Sequence, residues 1–533
     1  MPEPEMPVQA SDTPKDGAAQ AETRYQTVGL IMVITFIGKV MGLIRDMLMG
    51  HNFATGAASN AFQTASQIPR NFFDAVFASA ISASFIPVFN ETLEKDGKDE
   101  AFRLSRSFFT LMGLLTLLLS ALGMLFAPQL TGLLATGFDE ETAALCTNLL
   151  RMLFPTVFFT GLAFSMVGVL QSLGEFNIPA ALSVFSNGVI ILYFIFLCDR
   201  FGVYGLAVAY LIGWAMQAIV QLPSLHRLGF RYRVSFWHPG LKRVFALMLP
   251  VMVSTWIQPV NQLISTRFAS YLDGGVSALT YANSLYTMLA GIVVLSMTNV
   301  IFPEMSRLTA KAKFSELRDL IRSSLQSLLF LLLPMTVGLM LLAKPLVQLL
   351  YQHGTWGEDS TLITSQALTF LTLGMVGYGI QNVLVRAFYA EQNGKVPMLT
   401  GAVSIVLNIA LCCILSPLMG IAGLALATAL SSTASALLLL VPISRRLPGL
   451  FDRSFLQDIG KMILCTAVMG ILVRLADSAL SGLLAYSTVS VAAELIVSVL
   501  VGVAAYFLLA KILKIPELRQ VLSMFLRRRK KGT

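Results

Sequence analysis

SFFTLMGLLTLLLSALGMLFAPQLTGLLA, residues Ser107 to Ala135, carries no charged side chain from end to end. A helix of about 20 apolar residues crosses the roughly 30 Å hydrocarbon core of a bilayer, so this run is long enough to span it. A second long run covers Tyr486 to Ala510. Barrel strands alternate apolar and polar residues over about ten positions, and that alternation is missing here. Within hydrocarbon each backbone N–H and C=O must be satisfied inside the segment, which a helix does.

The rest of the chain has the same character. Of 533 residues, 56% are hydrophobic and 13% charged, about half the charge of an ordinary soluble domain. The longest polar stretches are the first 24 residues, the connection 225–242 and the basic tail. None could form a domain, which excludes a soluble enzyme and a receptor with a catalytic domain outside the membrane. No short apolar run precedes a small-residue cleavage site, so the first helix is expected to remain. Cys146, Cys198, Cys412, Cys413 and Cys465 lack C-x-x-C spacing, and His51, His226, His238 and His353 form no H-E-x-x-H pair. We expect no metal centre, no cofactor and no covalent chemistry.

Apolar segments fall near 25–45, 62–90, 107–135, 143–171, 178–198, 202–223, 243–272, 278–303, 320–351, 361–390, 396–416, 420–442, 459–477 and 486–512, about fourteen spans. Basic residues collect in alternate connections: Lys95 to Arg106, Arg227 to Arg243, Arg307 to Arg322, Arg445 to Lys461 and Arg527 to Lys531. The intervening turns hold acids instead, as in Asp139-Glu140-Glu141 and Glu358-Asp359. The positive-inside rule then predicts both termini on the cytoplasmic side of the membrane.

The two halves echo each other. Met124-Leu125-Phe126-Ala127 is matched by Met340-Leu341-Leu342-Ala343, and Gly137 before acids by Gly354 before acids. Gly174-Glu175-Phe176-Asn177-Ile178-Pro179 is matched by Glu391-Gln392-Asn393-Gly394-Lys395-Val396-Pro397. Each unit has six spans, so both copies enter the bilayer in one orientation, as in transporters that rock two lobes about a central cavity. The predicted architecture is all-α: a disordered tail (1–24), an N-lobe of six helices (25–224), a cytoplasmic linker (225–242), a C-lobe of six helices (243–443), two appended helices (444–512) and a basic tail (513–533).

A cation at mid-bilayer costs about 2.5–3.5 kcal/mol on insertion scales, so it normally faces a wet cavity or a partner. Arg200, Lys344 and Arg474 lie near span ends and can snorkel. Lys39, Arg45, Arg70 and Arg267 fall on the first, second and seventh spans, which would face a central cavity. Asp46 and Asp74 can pair with some of them, leaving a net-positive chamber suited to an anion such as a pyrophosphate. Pro69, inside the second span, should bend it and free a carbonyl beside that chamber. A drug antiporter for cations would need acids in the cavity instead.

Gly38-Lys39-Val40-Met41-Gly42-Leu43-Ile44-Arg45-Asp46, Ile68-Pro69, Phe85-Ile86-Pro87-Val88-Phe89, Tyr281-Ala282-Asn283 and Arg386-Ala387-Phe388-Tyr389-Ala390 together resemble the signatures of the MurJ (MviN) family. That family belongs to the multidrug/oligosaccharidyl-lipid/polysaccharide exporter superfamily. The resemblance implies a flippase carrying lipid II, the undecaprenyl-pyrophosphate-linked precursor of peptidoglycan, to the outer leaflet of a bacterial cytoplasmic membrane. A carrier of another polyprenyl-linked oligosaccharide is the alternative. It implies membrane lipids and cell-wall synthesis machinery as partners, no nucleic acid, and drive from membrane potential or a cation. Arg45 stands at a required cationic position and Lys39 where many members have arginine. The chain departs from the pattern at Asn60, where better-known members have aspartate, and at Phe73 and Ser284, where they have arginine. Arg70 and Arg267 are expected to supply that charge, with Asp46, Asn60, Asp74, Ser284 and Arg386 in support. Some members bind sodium in the second lobe, for which Asn261 and Asn408 offer oxygens but no acid lies near.

Overall fold

A computed structural model of the chain describes residues 14–483 and 487–519. Residues 1–13 of the expected disordered tail and the Arg527 to Lys531 cluster lie outside the described residues, while 14–24 is helical. Those described form helices and no strand. They are α1 (Pro14–Phe53), α2 (57–95), α3 (98–134), α4 (Glu140–Ser172), α5 (Asn177–Phe196), α6 (Cys198–Arg227), α7 (240–269), α8 (Gly275–Ala310), α9 (314–351), α10 (358–390), α11 (Lys395–Met419), α12 (Ile421–Arg446), α13 (Arg453–Leu483) and α14 (Thr488–Ile512). Eleven helices are long and apolar enough to cross a membrane, or thirteen if two bent pairs are each one span. The expected count of fourteen is therefore not reached by that criterion. The remaining one is α1, whose stretch 28–44 holds Lys39 as its single charge.

Two boundaries differ from expectation for physical reasons. Helix α1 begins at Pro14 rather than in the twenties. Proline suits a first helical position, and the Ala, Gln, Glu and Lys that follow are good helix formers. Helices α2 and α3 extend past the apolar runs into charged residues such as Lys95, Lys98 and Arg103, because hydropathy marks the hydrocarbon and not the helix end.

Packing repeats between halves. In the N-lobe α1 packs on α5, α2 on α4, α3 on α4, α4 on α6 and α5 on α6; the C-lobe makes the same pairings with every number raised by six. Helix α3 breaks at Phe126 and α9 at Leu342, the centre of the echoed Met-Leu-x-Ala strings. A further echo, missed in the sequence, is Gly202-Val203-Tyr204-Gly205 against Gly420-Ile421-Ala422-Gly423. Gly202 (φ 53°, ψ −146°), a kink near the start of α6, and Gly420 (φ 56°, ψ −129°), the corner into α12, share one conformation. A Cβ on Gly423 would sit 2.1 Å from the Leu415 carbonyl oxygen, so the corner also needs its second glycine.

The appended hairpin lies on the C-lobe. Helix α13 packs along α9, and the buried Tyr506 hydroxyl of α14 donates to the Phe330 carbonyl of α9 at 2.8 Å. Asp452 caps α13, accepting from the Phe455 N–H at 2.9 Å and meeting Arg322 at 2.7 Å. These contacts, the backbone N–H foremost, hold its carboxyl at about 2.

Side chains other than glycine pay about 1–3 kcal/mol in the corner conformation. Gly420→Val and Gly202→Val should each lower the thermal unfolding midpoint of the detergent-solubilised protein, and Gly460→Val, whose Cβ would meet nothing within 4 Å, should lower it less.

Candidate functional site

Between the lobes lies a cavity of about 750 Å³. Its N-lobe wall is one short piece of α2. Residues Gln67–Phe73 form a π-helical turn containing Pro69. Proline has no N–H for the helical ladder, and a wide turn accommodates the missing bond. The expected bend thus appears as a π segment. Gln67, Arg70 and Asp74, at positions i, i+3 and i+7, line the cavity.

The C-lobe wall comes from α7, α8, α10, α11 and α12. Helix α7 bends by 44° between Gly240–Met252 and Ile257–Ala269, and α10 by 46° between Glu358–Thr372 and Met375–Ala390. Beyond its bend α7 presents Gln258, Asn261, Gln262, Ser265 and Thr266, with Asn283 from α8 and Gln381 and Asn382 from α10. The spacing i, i+3, i+4, i+7, i+8 in α7 is a polar stripe on an otherwise apolar helix. Of these residues the sequence marked Asn261 alone, as an oxygen donor, since uncharged amides and hydroxyls give little signal within an apolar run.

This lining corrects the expected net-positive chamber. Among the described residues lining the cavity, Arg70 is the sole cation and Asp74 the sole acid, so the wall is formally balanced and made mostly of amides and hydroxyls. Arg70 donates to the Tyr210 hydroxyl at 3.3 Å. Asp74 accepts from Thr160 Oγ1 at 2.8 Å and Trp214 Nε1 at 3.3 Å.

The other predicted residues lie elsewhere. Arg45 is folded into the N-lobe: Nη2 meets Asp46 Oδ1 at 2.8 Å, Nη1 donates to Asn187 Oδ1 at 3.0 Å, and the guanidinium stands 5.9 Å from the Tyr210 ring. Lys39 is exposed on α1, outside the cavity wall. Arg267 Nη1 donates across the lobe seam to the Leu133 carbonyl at 3.0 Å. Asn60 also belongs to the seam, its Oδ1 accepting from the Ser277 N–H at 2.9 Å. The guanidinium of Arg386 stands 5.6 Å from the Phe302 ring, outside the wall. Ser284 is outside it too, because adjacent helical residues point about 100° apart and Asn283 takes the inward position. Asn261 and Asn408 hydrogen-bond each other at 2.6 Å. No group of three or more His, Cys, Asp or Glu side chains that could hold a metal occurs among the described residues.

Lobe contacts bracket the cavity. At the end carrying the basic connections, the first half of α7 lies on the second half of α2, with Arg243 to Glu91 at 2.5 Å and His238 to Glu100 at 3.1 Å. At the opposite end the contacts are buried hydroxyls: Ser59 with Tyr281 (3.2 Å) and Ser277 (2.9 Å), and Thr55 with Ser360 (2.8 Å). Behind them Tyr281, Tyr351 and Trp356 form a buried aromatic plug with centroids 5.1 Å apart. Two repeat-related glycines complete this seal. Gly137 presses on the Ser270–Tyr271 backbone at the end of α7, and Gly354 on His51 at the end of α1. A Cβ on either would lie 2.5 Å from backbone atoms of the facing lobe. The lobes therefore grip each other reciprocally, loop on helix end.

Comparison with known proteins agrees with this geometry. A family model described as lipid II flippase MurJ matches residues 49–522. The chain is 30% identical over 493 residues to a probable lipid II flippase MurJ of Thermotoga maritima, covering 92% of this chain and 96% of that one. It is 29% identical over 460 residues to a probable lipid II flippase MurJ of Rhizobium meliloti, covering 84% and 85%. A solved lipid II flippase MurJ in an inward closed conformation superposes with TM-score 0.78 at 25% identity, covering 91% of this chain and 98% of that one. An inward-facing multidrug-resistance MATE transporter of the MOP superfamily, at 17% identity and TM-score 0.67 over 79% of this chain and 98% of that one, shares the fold.

Two variants probe these contacts. Gly354→Ala or Gly137→Ala should part the seal, so a cysteine at Thr280 in a cysteine-free background becomes labelled faster by an impermeant maleimide applied at the sealed end. Equal labelling would mean that the glycines do not hold it. Arg45→Gln leaves Asp46 buried without its ion pair, a change of about 3–5 kcal/mol. The thermal midpoint should fall in that variant and recover in Arg45→Gln/Asp46→Asn; a double variant as unstable as the single would rule out the ion pair as the cause.

Proposed function

We infer how the cavity works from one premise: the chain belongs to the lipid II flippase MurJ family, as the match over 49–522 shows. It is a multi-pass membrane protein that moves lipid II between leaflets. Our reading of the mechanism is alternating access, with both termini on the cytoplasmic side of a bacterial cytoplasmic membrane and no covalent step.

The two seals differ in chemistry. The basic-end latch carries an exposed ion pair, Arg243 and Glu91, whose side chains are 61% and 34% accessible, worth about 0–1 kcal/mol, and beside it Leu241, Val244 and Met248 of α7 are buried where α7 lies along α2. The opposite seal combines several buried hydrogen bonds of about 0.5–1.5 kcal/mol each with the aromatic plug. In our reading cargo enters from the cytoplasm, at the basic end.

Cargo entering there meets Arg70, the cation for the diphosphate, while the amides of α7, α8 and α10 suit the hydroxyls and peptide groups of the head group. Parting the opposite seal breaks the Arg267 bond to the Leu133 carbonyl and releases that guanidinium to the anion at the exit. Lys39 serves as an outlying contact for the diphosphate, and Arg45 shapes the lobe beside it. The polyprenyl tail stays in lipid, in our reading along the appended helices. Membrane potential, about 2.3 kcal/mol per charge per 100 mV, or a coupled cation would reset the lobes.

Arg70→Gln removes a charge-assisted contact, so lipid II translocation in proteoliposomes should fall roughly tenfold or more with the thermal midpoint little changed. Full activity in that variant would remove Arg70 from the cargo site.

A further inference from the structure

On the outside of the N-lobe, away from the central cavity, an apolar groove of about 1110 Å³ opens between α3, α4 and α6. Gly113 leaves its floor low, and Leu117, Phe158 and Leu162 form its walls. Leu117 is 54% exposed, so the groove faces the surrounding lipid rather than another helix.

The mouth of the groove is roofed by the connection to α7. Residues 231–237, Arg-Tyr-Arg-Val-Ser-Phe-Trp, run without helix and are stitched to α3. Arg106 Nε donates to the Arg231 carbonyl at 2.8 Å, the Ser235 N–H to Thr110 Oγ1 at 3.3 Å, and the Ser107 and Ser235 hydroxyls meet at 2.7 Å. Tyr232 and Phe236 of the strap line the groove while staying largely exposed, the Tyr232 hydroxyl meeting Thr110 Oγ1 at 3.1 Å, and Trp237 is exposed beside it with Lys242 Nζ 5.6 Å from its ring. Aromatic rings interleaved with basic side chains mark headgroup depth in a bilayer. His226 and Arg231 line the groove itself, with Arg227 and Arg233 exposed beside it. The nearby acids are engaged elsewhere, Glu91 with Lys95 and Arg243, and Glu100 with Arg103 and His238.

We propose that this groove is a binding site for an anionic glycerophospholipid. Its phosphate lies against Arg231 and His226, and an acyl chain descends over Gly113 to Leu117. Thr110 to Leu117 spans about 10 Å along α3, enough to align the upper part of a chain. The charge at the mouth and the hydrocarbon below it match the two ends of such a lipid. The site is separate from the cargo cavity and does not depend on how that cavity works.

Native mass spectrometry of the full chain, titrated with phosphatidylglycerol or phosphatidylcholine of identical chains, tests it. Each basic side chain near an anionic headgroup is worth roughly fivefold in binding. The wild type should retain phosphatidylglycerol more tightly, and Arg231→Gln/His226→Gln should remove that preference. Gly113→Leu, which fills the groove but leaves the basic strap, should weaken both lipids. Equal retention of the two lipids by the wild type, or a preference that survives both variants, would overturn the proposal. So would undecaprenyl phosphate displacing phosphatidylglycerol at equal concentration, which would assign the groove to polyprenyl carriers.

Discussion

Hydrocarbon offers no hydrogen bonds, and this architecture answers to that fact. Backbone groups are satisfied inside helices, and many polar side chains within the spans turn toward one another or toward the central cavity. Arg45 shows the first solution, tied to Asp46 and Asn187. Arg70 shows the second, at the edge of a wall of amides with Asp74 one turn away. A charge kept in the membrane must be balanced, and here that balance makes the chamber polar rather than strongly positive.

The internal repeat carries that constraint into motion. Each lobe is built from the same pairings, so each presents the same two features at the sealed end: a helix terminus and a glycine loop. The loop of one lobe rests on the helix end of the other, once in each direction. Parallel repeats thus yield a two-fold grip, which can be released as a unit because both contacts lie at the same end. Buried hydroxyls and the aromatic plug close that end, while the basic end is closed by α7 lying along α2 with an exposed ion pair beside it.

Much of this was readable in the chain itself. Apolar runs gave the helices, basic connections their alternation, and the echoes Met124 to Ala127 against Met340 to Ala343 the two-lobe plan. These are properties of covalently adjacent residues, and the bilayer acts on them locally. The glycine pair Gly137 and Gly354 was also visible, though not its meaning, since a close approach to Tyr271 or His51 is a contact between residues far apart in sequence.

Which cations face the cavity was decided only by the tertiary structure. Lys39, Arg45, Arg70 and Arg267 look alike as isolated charges in apolar helices, yet just Arg70 lines the chamber. A π turn at Pro69 rotates Arg70 inward, a neighbouring Asp46 and a distant Asn187 hold Arg45 in its own lobe, and a carbonyl on the opposite lobe takes Arg267. Sequence determined that charge had to be accommodated within the membrane, because its desolvation is a local cost. Where that charge pointed depended on partners that only folding brings together.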